Sequence, residues 1–298
     1  MKISIVGLGT MGGPIASNLL KAGFEVTVHN RTRSKEKMLE QLGAIRAESP
    51  VAAATEAEIY LTCVSDTPDV ESVLLDPSQG AINVLKPNSL VIDCSSISPE
   101  ATRRIAQKLR AKNVGFVDAP VSGGVEGAIQ GTLAIMCGGT EEDIERSRPV
   151  LQVIGNRITH IGPVGCGQIA KMTNQVVITG TFMALAEALT LSSRAGANPE
   201  RVIEAMSGGT ASSWILNNRS QKMLNNDYTL GFKLRLHRKD LGIALALANE
   251  YKVPLPVARL VTDIEDKLIA QGYGDEDMSN LVRFVRQEAG ILDKPMEN

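Results

Sequence analysis

Ile3-Ser4-Ile5-Val6-Gly7-Leu8-Gly9-Thr10-Met11-Gly12 lies almost at the start of the chain, and its reading decides the architecture. The β-branched run reads as a strand. Gly7-Leu8-Gly9-Thr10-Met11-Gly12 then matches G-x-G-x-x-G and opens a helix-like stretch with small residues at Ala16 and Ser17. The pattern alone is weak, and its strand–turn–helix setting strengthens it. Such glycines permit a tight turn and close approach of a pyrophosphate, which sits on N–H groups at the positive helix end. A glycine-rich turn with no ligand is the competing reading.

Outward from this loop the first half alternates. Short apolar runs at 3–6, 26–29, 59–64, 90–93 and 114–117 are separated by helical patterns, which predicts βαβ units and a parallel sheet covered on both faces. Two more runs, 133–137 and 158–161, bracket a helix beginning near Glu141 and are expected to extend the sheet. After Gly162–Gly167 only helix-like segments follow: 165–195, 199–206, 241–250, 257–271 and 279–289. The first would span about 45 Å at 1.5 Å per residue and is apolar all round, so it is expected to be buried. With 298 residues, two domains are expected: an α/β domain over 1–163, and an all-α domain over 164–298 that starts with the long connecting helix. Asp293–Asn298 reads as a frayed tail.

Composition excludes several function classes. Hydrophobic residues at 43% and charged residues at 21% rule out a mainly disordered chain. A net charge of -2 offers no broad basic surface for a phosphate backbone. One Trp, four Tyr and five Phe are too few for a base-stacking platform, so no nucleic-acid partner is expected. Cys63, Cys94, Cys137 and Cys166 form no C-x-x-C pair and have no His at ligand spacing, so they read as cytosolic thiols and no metal is expected. The N-terminus lacks the layout of a secretory signal. The apolar stretch 169–193 carries Asn174, Gln175, Thr173, Thr179 and Thr181, so no membrane partner is expected and a cytoplasmic location is.

The end of the second strand bears on the cofactor. A dinucleotide site for NAD usually places Asp or Glu there, to accept from the ribose 2′-hydroxyl. Here Val28 is followed by His29-Asn30-Arg31-Thr32-Arg33, with no acid before Glu36 and with Lys35 behind. A neutral tip and two guanidinium groups suit a 2′-phosphate, so NADP is expected, with NAD second. A solvated helix start is the plainer reading of the two arginines.

Three further motifs carry chemistry. Asp118-Ala119-Pro120-Val121-Ser122-Gly123-Gly124 follows a strand and so lies at the carboxyl edge of the sheet, where its glycines and Ser122 could hold a small carboxylate. It could equally be an ordinary turn. Gly165-Cys166-Gly167-Gln168-Ile169-Ala170-Lys171-Met172-Thr173-Asn174 places Lys171 in the first turns of an apolar helix, with Asn174 and Gln175 on the same face. A partly buried lysine has a lowered pKa and can donate a proton near neutral pH, whereas a lone helical lysine more often snorkels at a surface. His237-Arg238-Lys239-Asp240-Leu241-Gly242 opens a later helix and on spacing alone reads as a solvated basic cap.

Taken together, G-L-G-x-M-G, D-A-P-V-S-G-G, G-x-G-x-x-x-K-x-x-N and K-D-L, in this order over nearly the whole chain, resemble the β-hydroxyacid dehydrogenase family. The resemblance implies a Rossmann-type doubly wound N-terminal domain, a long interdomain helix and an all-α C-terminal domain in a dimer or tetramer. It implies that Gly7, Gly9, Thr10, Met11 and Gly12 hold the pyrophosphate, and that Asn30, Arg31 and Thr32 meet the ribose or its phosphate. Val64, Ser65 and Asp69 would line the cofactor cleft, although the family often has Leu-Pro where Val64-Ser65 stands. Ser96 would lie near the nicotinamide, and Ser122, Gly123 and Gly124 would bind a substrate carboxylate. Lys171 would be catalytic, Asn174 would orient substrate, and Lys239 would reach cofactor or substrate.

The expected reaction is NADPH-dependent, reversible reduction of a short aldehyde acid such as glyoxylate, succinic semialdehyde or tartronate semialdehyde, with Lys171 as proton donor. An NAD-dependent 3-hydroxyisobutyrate dehydrogenase is the nearest alternative. A catalytically silent cofactor-binding scaffold is the alternative from another class, and the presence of Lys171 and Asn174 weighs against it. Trp214 and Phe232 read as core residues that could also shape a distal pocket.

Overall fold

The β-branched run at the start of the chain becomes the middle of a sheet. In the computed structural model, which describes residues 1–291, β1 (Lys2–Val6) pairs in parallel with β2 (Glu25–His29) on one side and β4 (Ile59–Thr62) on the other. With β3 (Ile45–Arg46), β5 (Leu90–Asp93) and β6 (Gly115–Asp118) the order is β3-β2-β1-β4-β5-β6, all parallel. The chain turns back across the sheet between β3 and β4. That reversal opens a crevice at the carboxyl ends of β1 and β4, where ligands of open α/β sheets bind.

Beyond β6 the sheet becomes mixed. β8 (Leu133–Gly138) runs antiparallel to β6 and to the short β7 (Val121–Ser122), and β9 (Gly155–Gly162) runs parallel to β8. The two late apolar runs therefore extend the sheet. β3 and β7 have two residues each, too short for an alternation signal.

Every residue of β4, β5 and β6 is buried, because both sheet faces are covered. Period-two geometry sends Ile3, Ile5, Leu61 and Ile92 to one face, against Ile15 and Leu19 of α1 (Gly12–Lys21), Leu39 of α2 (Lys37–Gln41), Ala128 of α6 (Gly124–Gln130) and Leu151 of α7 (Glu141–Ile154). Val6, Tyr60, Val91 and Phe116 go to the other face, against Ala53 of α3 (Pro50–Ala54), Leu74 of α4 (Thr67–Leu75) and Ile105 of α5 (Pro99–Arg110).

The chain divides into two compact units, Met1–Lys171 and the part from Met172 onward. The first turn and a half of α8 (Cys166–Arg194), including Lys171, belongs to the first unit. The second contains the rest of α8 with α9 (Pro199–Ser207), α10 (Trp214–Leu224), α11 (Leu234–Glu250), α12 (Pro256–Ala270) and α13 (Leu281–Glu288). Its core gathers Phe182, Leu185, Leu189, Leu216, Met223, Leu234, Ile264 and Leu281.

Among the described residues α8 is the one helix long and apolar enough to cross a membrane. Contrary to the expected burial all round, only one side of it, with Phe182, Met183, Leu185, Ala186 and Leu189, enters this core, and Val177 and Leu191 are exposed. α10 was not legible beforehand, because Asn217, Asn218, Arg219, Ser220 and Gln221 interrupt its apolar period. α11 begins at Leu234, seven residues ahead of the stretch legible as helix. The expected frayed tail at 293–298 lies outside the described residues.

Candidate active site

The glycine-rich loop is shaped by close contacts and by one open side. A Cβ at Gly7, where φ is +96°, would collide with the Cys63 carbonyl at the end of β4, and one at Gly12 would collide with the Gly7 carbonyl. A Cβ at Gly9 would meet nothing within 4 Å, so packing does not demand glycine there. Close approach of a ligand would. Met11 gives α1 no side-chain cap and the first turn has no acid, whereas Ser49, Asp66, Ser98 and Thr140 cap α3, α4, α5 and α7. The positive end of α1 is thus left to an anion, as a pyrophosphate requires. Asn30 Oδ1 accepts from Leu8 N at 2.8 Å and ties the loop to the tip of β2.

At that tip the two arginines separate. Glu36 is fully buried and accepts from Asn30 N at 2.9 Å and Arg46 Nε at 2.8 Å. Arg33 is drawn into this cluster, 3.2 Å from Glu36 Oε1 and 3.1 Å from Glu48 Oε1, and it also donates to the Ala47 carbonyl. Arg33 is therefore committed to the fold. Arg31 is 89% exposed, 3.5 Å from Asp69 Oδ1, beside exposed Thr32. The paired-arginine reading narrows to Arg31.

The carboxyl ends of β4 and β5 are cross-linked. Asp93 Oδ1 accepts from Thr62 Oγ1 at 2.8 Å and from Ser95 N at 3.0 Å, and Ser95 Oγ accepts from Val64 N at 3.0 Å. This fixes the segment carrying Val64 and Ser65 and the start of that carrying Ser96. Asp69 sits in the first turn of α4, which Asp66 caps. Burial pushes the Cys63 thiol up to about 12 and holds that of Cys94 well above its ordinary value.

After β6 the chain passes through β7 into Gly123 and Gly124, whose φ values are +139° and +66°. Such successive turns can direct neighbouring N–H groups to one side, as an anion nest does. Lys171 is 7% exposed, and its Nζ donates to the Val121 carbonyl at 2.9 Å, next to Ser122. The structure thus places the lysine at the lip of the candidate carboxylate loop. Two residues not singled out from the sequence hold this corner together. Asp118, at the end of β6, accepts from Gly165 N and Gln168 N, and Gln168 reaches the Ser95–Ile97 segment. Burial raises Asp118 to about 6, opposed by those two hydrogen bonds. An acid directly after the apolar run 114–117 was the available signal.

In the second unit Asn174 and Lys239 are joined through other side chains. Asn174 Nδ2 donates to Gln175 Oε1 at 2.9 Å, Gln175 Nε2 donates to Asp240 Oδ2 at 2.7 Å, and Lys239 Nζ lies 2.9 Å from Asp240 Oδ1. The segment read as a solvated basic cap is instead an interior turn of α11 with His237 and Asp240 buried. His237 Nδ1 is 2.6 Å from Glu265 Oε1, and its Nε2 is 3.1 Å from Thr179 Oγ1. Trp214 is not a core residue. It is 52% exposed at the start of α10, with the Arg219 guanidinium 4.7 Å from its ring centre. Phe232 is partly buried, edge-on to His237 at 6.1 Å. Among the described residues no three His, Cys, Asp or Glu side chains gather as a metal site.

Comparison with known proteins agrees with this layout. Residues 2–162 match the family model of the NAD-binding domain of 6-phosphogluconate dehydrogenase. Residues 165–285 match that of the NAD-binding domain of NADP-dependent 3-hydroxyisobutyrate dehydrogenase. The chain is 38% identical to 2-hydroxy-3-oxopropionate reductase of Escherichia coli (strain K12), over 95% of this chain and 96% of the relative. It is 36% identical to 2-(hydroxymethyl)glutarate dehydrogenase of Eubacterium barkeri, over 98% and 97%. The solved structure of Mycobacterium tuberculosis 3-hydroxyisobutyrate dehydrogenase with L-serine is similar at a TM-score of 0.87 and 30% identity, covering 96% of this chain and 99% of that one. With the glycine-rich loop, the lysine-bearing helix and these matches over nearly its whole length, the chain belongs to the β-hydroxyacid dehydrogenase family of NAD(P)-dependent oxidoreductases acting on a hydroxyl group.

Proposed function

We propose that this protein reduces a short aldehyde carboxylic acid (glyoxylate, succinic semialdehyde or tartronate semialdehyde) to the hydroxy acid with NADPH, reversibly, and that Lys171 is the proton donor. The observation that carries this reading is the buried Lys171 ammonium 2.9 Å from the Val121 carbonyl, beside Ser122, Gly123 and Gly124. Substrates named for the relatives, hydroxy or oxo acids with a carboxylate, suit an anion clamp at that loop.

When bound, the nicotinamide nucleotide supplies the hydride. Gly7, Gly9, Thr10, Met11 and Gly12 hold its pyrophosphate. Asn30, Arg31 and Thr32 meet the adenosine ribose and its 2′-phosphate, and Val64, Ser65, Asp69 and Ser96 line its cleft. Ser122 and the two glycines fix the substrate carboxylate, which sets the position of the reacting carbonyl. Lys171 polarises the carbonyl oxygen and gives it a proton as alkoxide charge develops; in the reverse direction its neutral amine takes the hydroxyl proton. Asn174 orients the substrate, and Lys239 contributes a second cation from the helical unit. In this reading residues 1–163 serve the cofactor and 164–298 serve substrate and oligomerisation, as a cytoplasmic dimer or tetramer.

Initial rates with succinic semialdehyde, comparing NADPH and NADH by nicotinamide absorbance, test the proposal. Fast turnover favouring NADPH supports it. A strong NADH preference favours NAD-dependent 3-hydroxyisobutyrate chemistry, the second reading, for which committed Arg33 is the specific observation.

A further inference from the structure

We propose that Asp118 and Gln168 act together as the positioning residues of this site, setting Lys171 in register with the carboxylate loop and with the segment that carries Ser96. The inference rests on the proposed role of Lys171 as proton donor.

The geometry forms a closed circuit within the first unit. Asp118 ends β6 and is fully buried. Its Oδ1 accepts from Gly165 N at 2.8 Å and its Oδ2 from Gln168 N at 2.9 Å. A strand-end carboxylate thus takes N–H groups at the start of α8, a task usually given to a residue just before the helix. Gln168, also fully buried, donates from Nε2 to the Ser95 carbonyl at 2.8 Å and accepts at Oε1 from Ile97 N at 3.1 Å. One amide therefore holds the backbone on both sides of Ser96.

Three residues after Gln168, one turn on, stands Lys171. Three residues after Asp118 stands Val121, whose carbonyl receives the lysine Nζ at 2.9 Å. Lysine, loop and Ser96 segment are each one short step from the same two side chains.

The surroundings are fitted to the carboxylate. A Cβ at Gly138 would lie 2.5 Å from Asp118 Oδ1, and one at Gly167 would lie 2.8 Å from Oδ2. Two glycines thus leave room for a charge that burial disfavours, and the hydrogen bonds it receives are of the stronger, charge-assisted kind. A neutral residue would avoid that cost of burial. What the ionised group adds is attraction to the helix N-terminus, which sets the rotation and advance of α8 and so the reach of Lys171.

The test is a double-mutant cycle on the full chain. Asp118→Asn keeps the shape but turns one acceptor into a donor facing an N–H. Gln168→Glu keeps the acceptor for Ile97 N and loses the donor to the Ser95 carbonyl. Each is made in the native protein and with Lys171→Ala. Nicotinamide nucleotide affinity is read by calorimetry, folding by circular dichroism and the hydride step by single-turnover absorbance.

The expected result is a 10–100-fold slower step for each variant with Lys171 present, on the order of what misplacement costs. Nucleotide affinity should stay within about threefold, and the slowing should shrink to about twofold or less without Lys171, as coupled residues require. Equal slowing in both backgrounds, or none with Lys171 present, overturns the proposal. If Asp118→Asn fails to fold, Gln168→Glu decides by the same criteria. Full turnover of Lys171→Ala alone would reject the proton-donor reading, and the positioning role with it. That failure is read in a different arm from additive losses, which would reject the positioning role only.

Discussion

The Nζ of Lys171 lies 2.9 Å from the carbonyl oxygen of Val121, the residue before Ser122 in the loop after β6. The side chain donates to the loop proposed to bind the substrate carboxylate, so the proposed proton donor and the proposed clamp share a support. Replacing Lys171 with Ala should lower kcat by 10²–10⁴-fold, the usual range for losing a general acid. Nucleotide binding should persist. Steady-state rates beside a calorimetric titration check both statements, and near-native kcat would remove the lysine from the chemistry.

Arg31 and Arg33 should part company on substitution. Arg31→Ala removes an exposed guanidinium near Asp69 and should raise KM for NADPH about tenfold or more while changing that for NADH little. Arg33→Ala breaks the links to Glu36, Glu48 and the Ala47 carbonyl. It should therefore destabilise the fold and affect both nucleotides alike. Paired KM values and thermal melts separate the two, and identical profiles would refute the division.

Asp118 predicts an inverted pH dependence. Its folded pKa of about 6 lies above its ordinary value, because burial and the nearby Asp93 charge outweigh the N–H groups of Gly165 and Gln168. A raised acid contributes stability that is fully present below the unfolded pKa and is lost as pH rises through about 6. The stability penalty of Asp118→Asn should therefore be smaller at pH 7.5 than near pH 4.5, by about 2 kcal/mol. Urea titrations at the two pH values measure it. A penalty that grows with pH would contradict the assignment.

Cys63 and Cys137 are raised to about 12 and Cys94 is also raised, each chiefly by burial. Their thiolate fraction at pH 8 is minute, and the thiolate is the reactive form. Brief iodoacetamide treatment of the native protein should add at most one group, at Cys166; Cys63 is half-buried too, but its thiol is raised to about 12. Peptide mass mapping shows the site, and rapid labelling of Cys94 would disprove this burial.

Glu265 and His237 are both fully buried, 2.6 Å apart, in the helical unit. Removing one partner strands the other, so Glu265→Ala should cost about 3–5 kcal/mol of stability. Denaturant unfolding measures the loss. A change below about 1 kcal/mol would mean that the pair relaxes into solvent.

Much of this was legible in the sequence because the signals are local. The parallel sheet with helices on both faces followed from alternating apolar runs and helical spacings, and the glycine-rich loop from six consecutive residues. The long helix followed from its mostly apolar character. β3, β7 and α10 escaped because two residues carry no period and polar side chains hid one.

Local sequence also put two arginines at the tip of β2 and a charged stretch at Lys239. It could not say that Glu36 would draw Arg33 inward, or that Asp240 would be buried beneath Lys239. What the sequence determined by itself was the longer elements and the motifs at their ends, since a backbone turn or a helix start depends on neighbours a few residues away. The tertiary structure alone decided which side chain meets which. Asp118 reaches the start of α8 across 47 residues of chain and Gln168 reaches Ser95 across 73. Hydrogen bonds of a few ångströms between such distant residues exist only after the sheet and helices have packed.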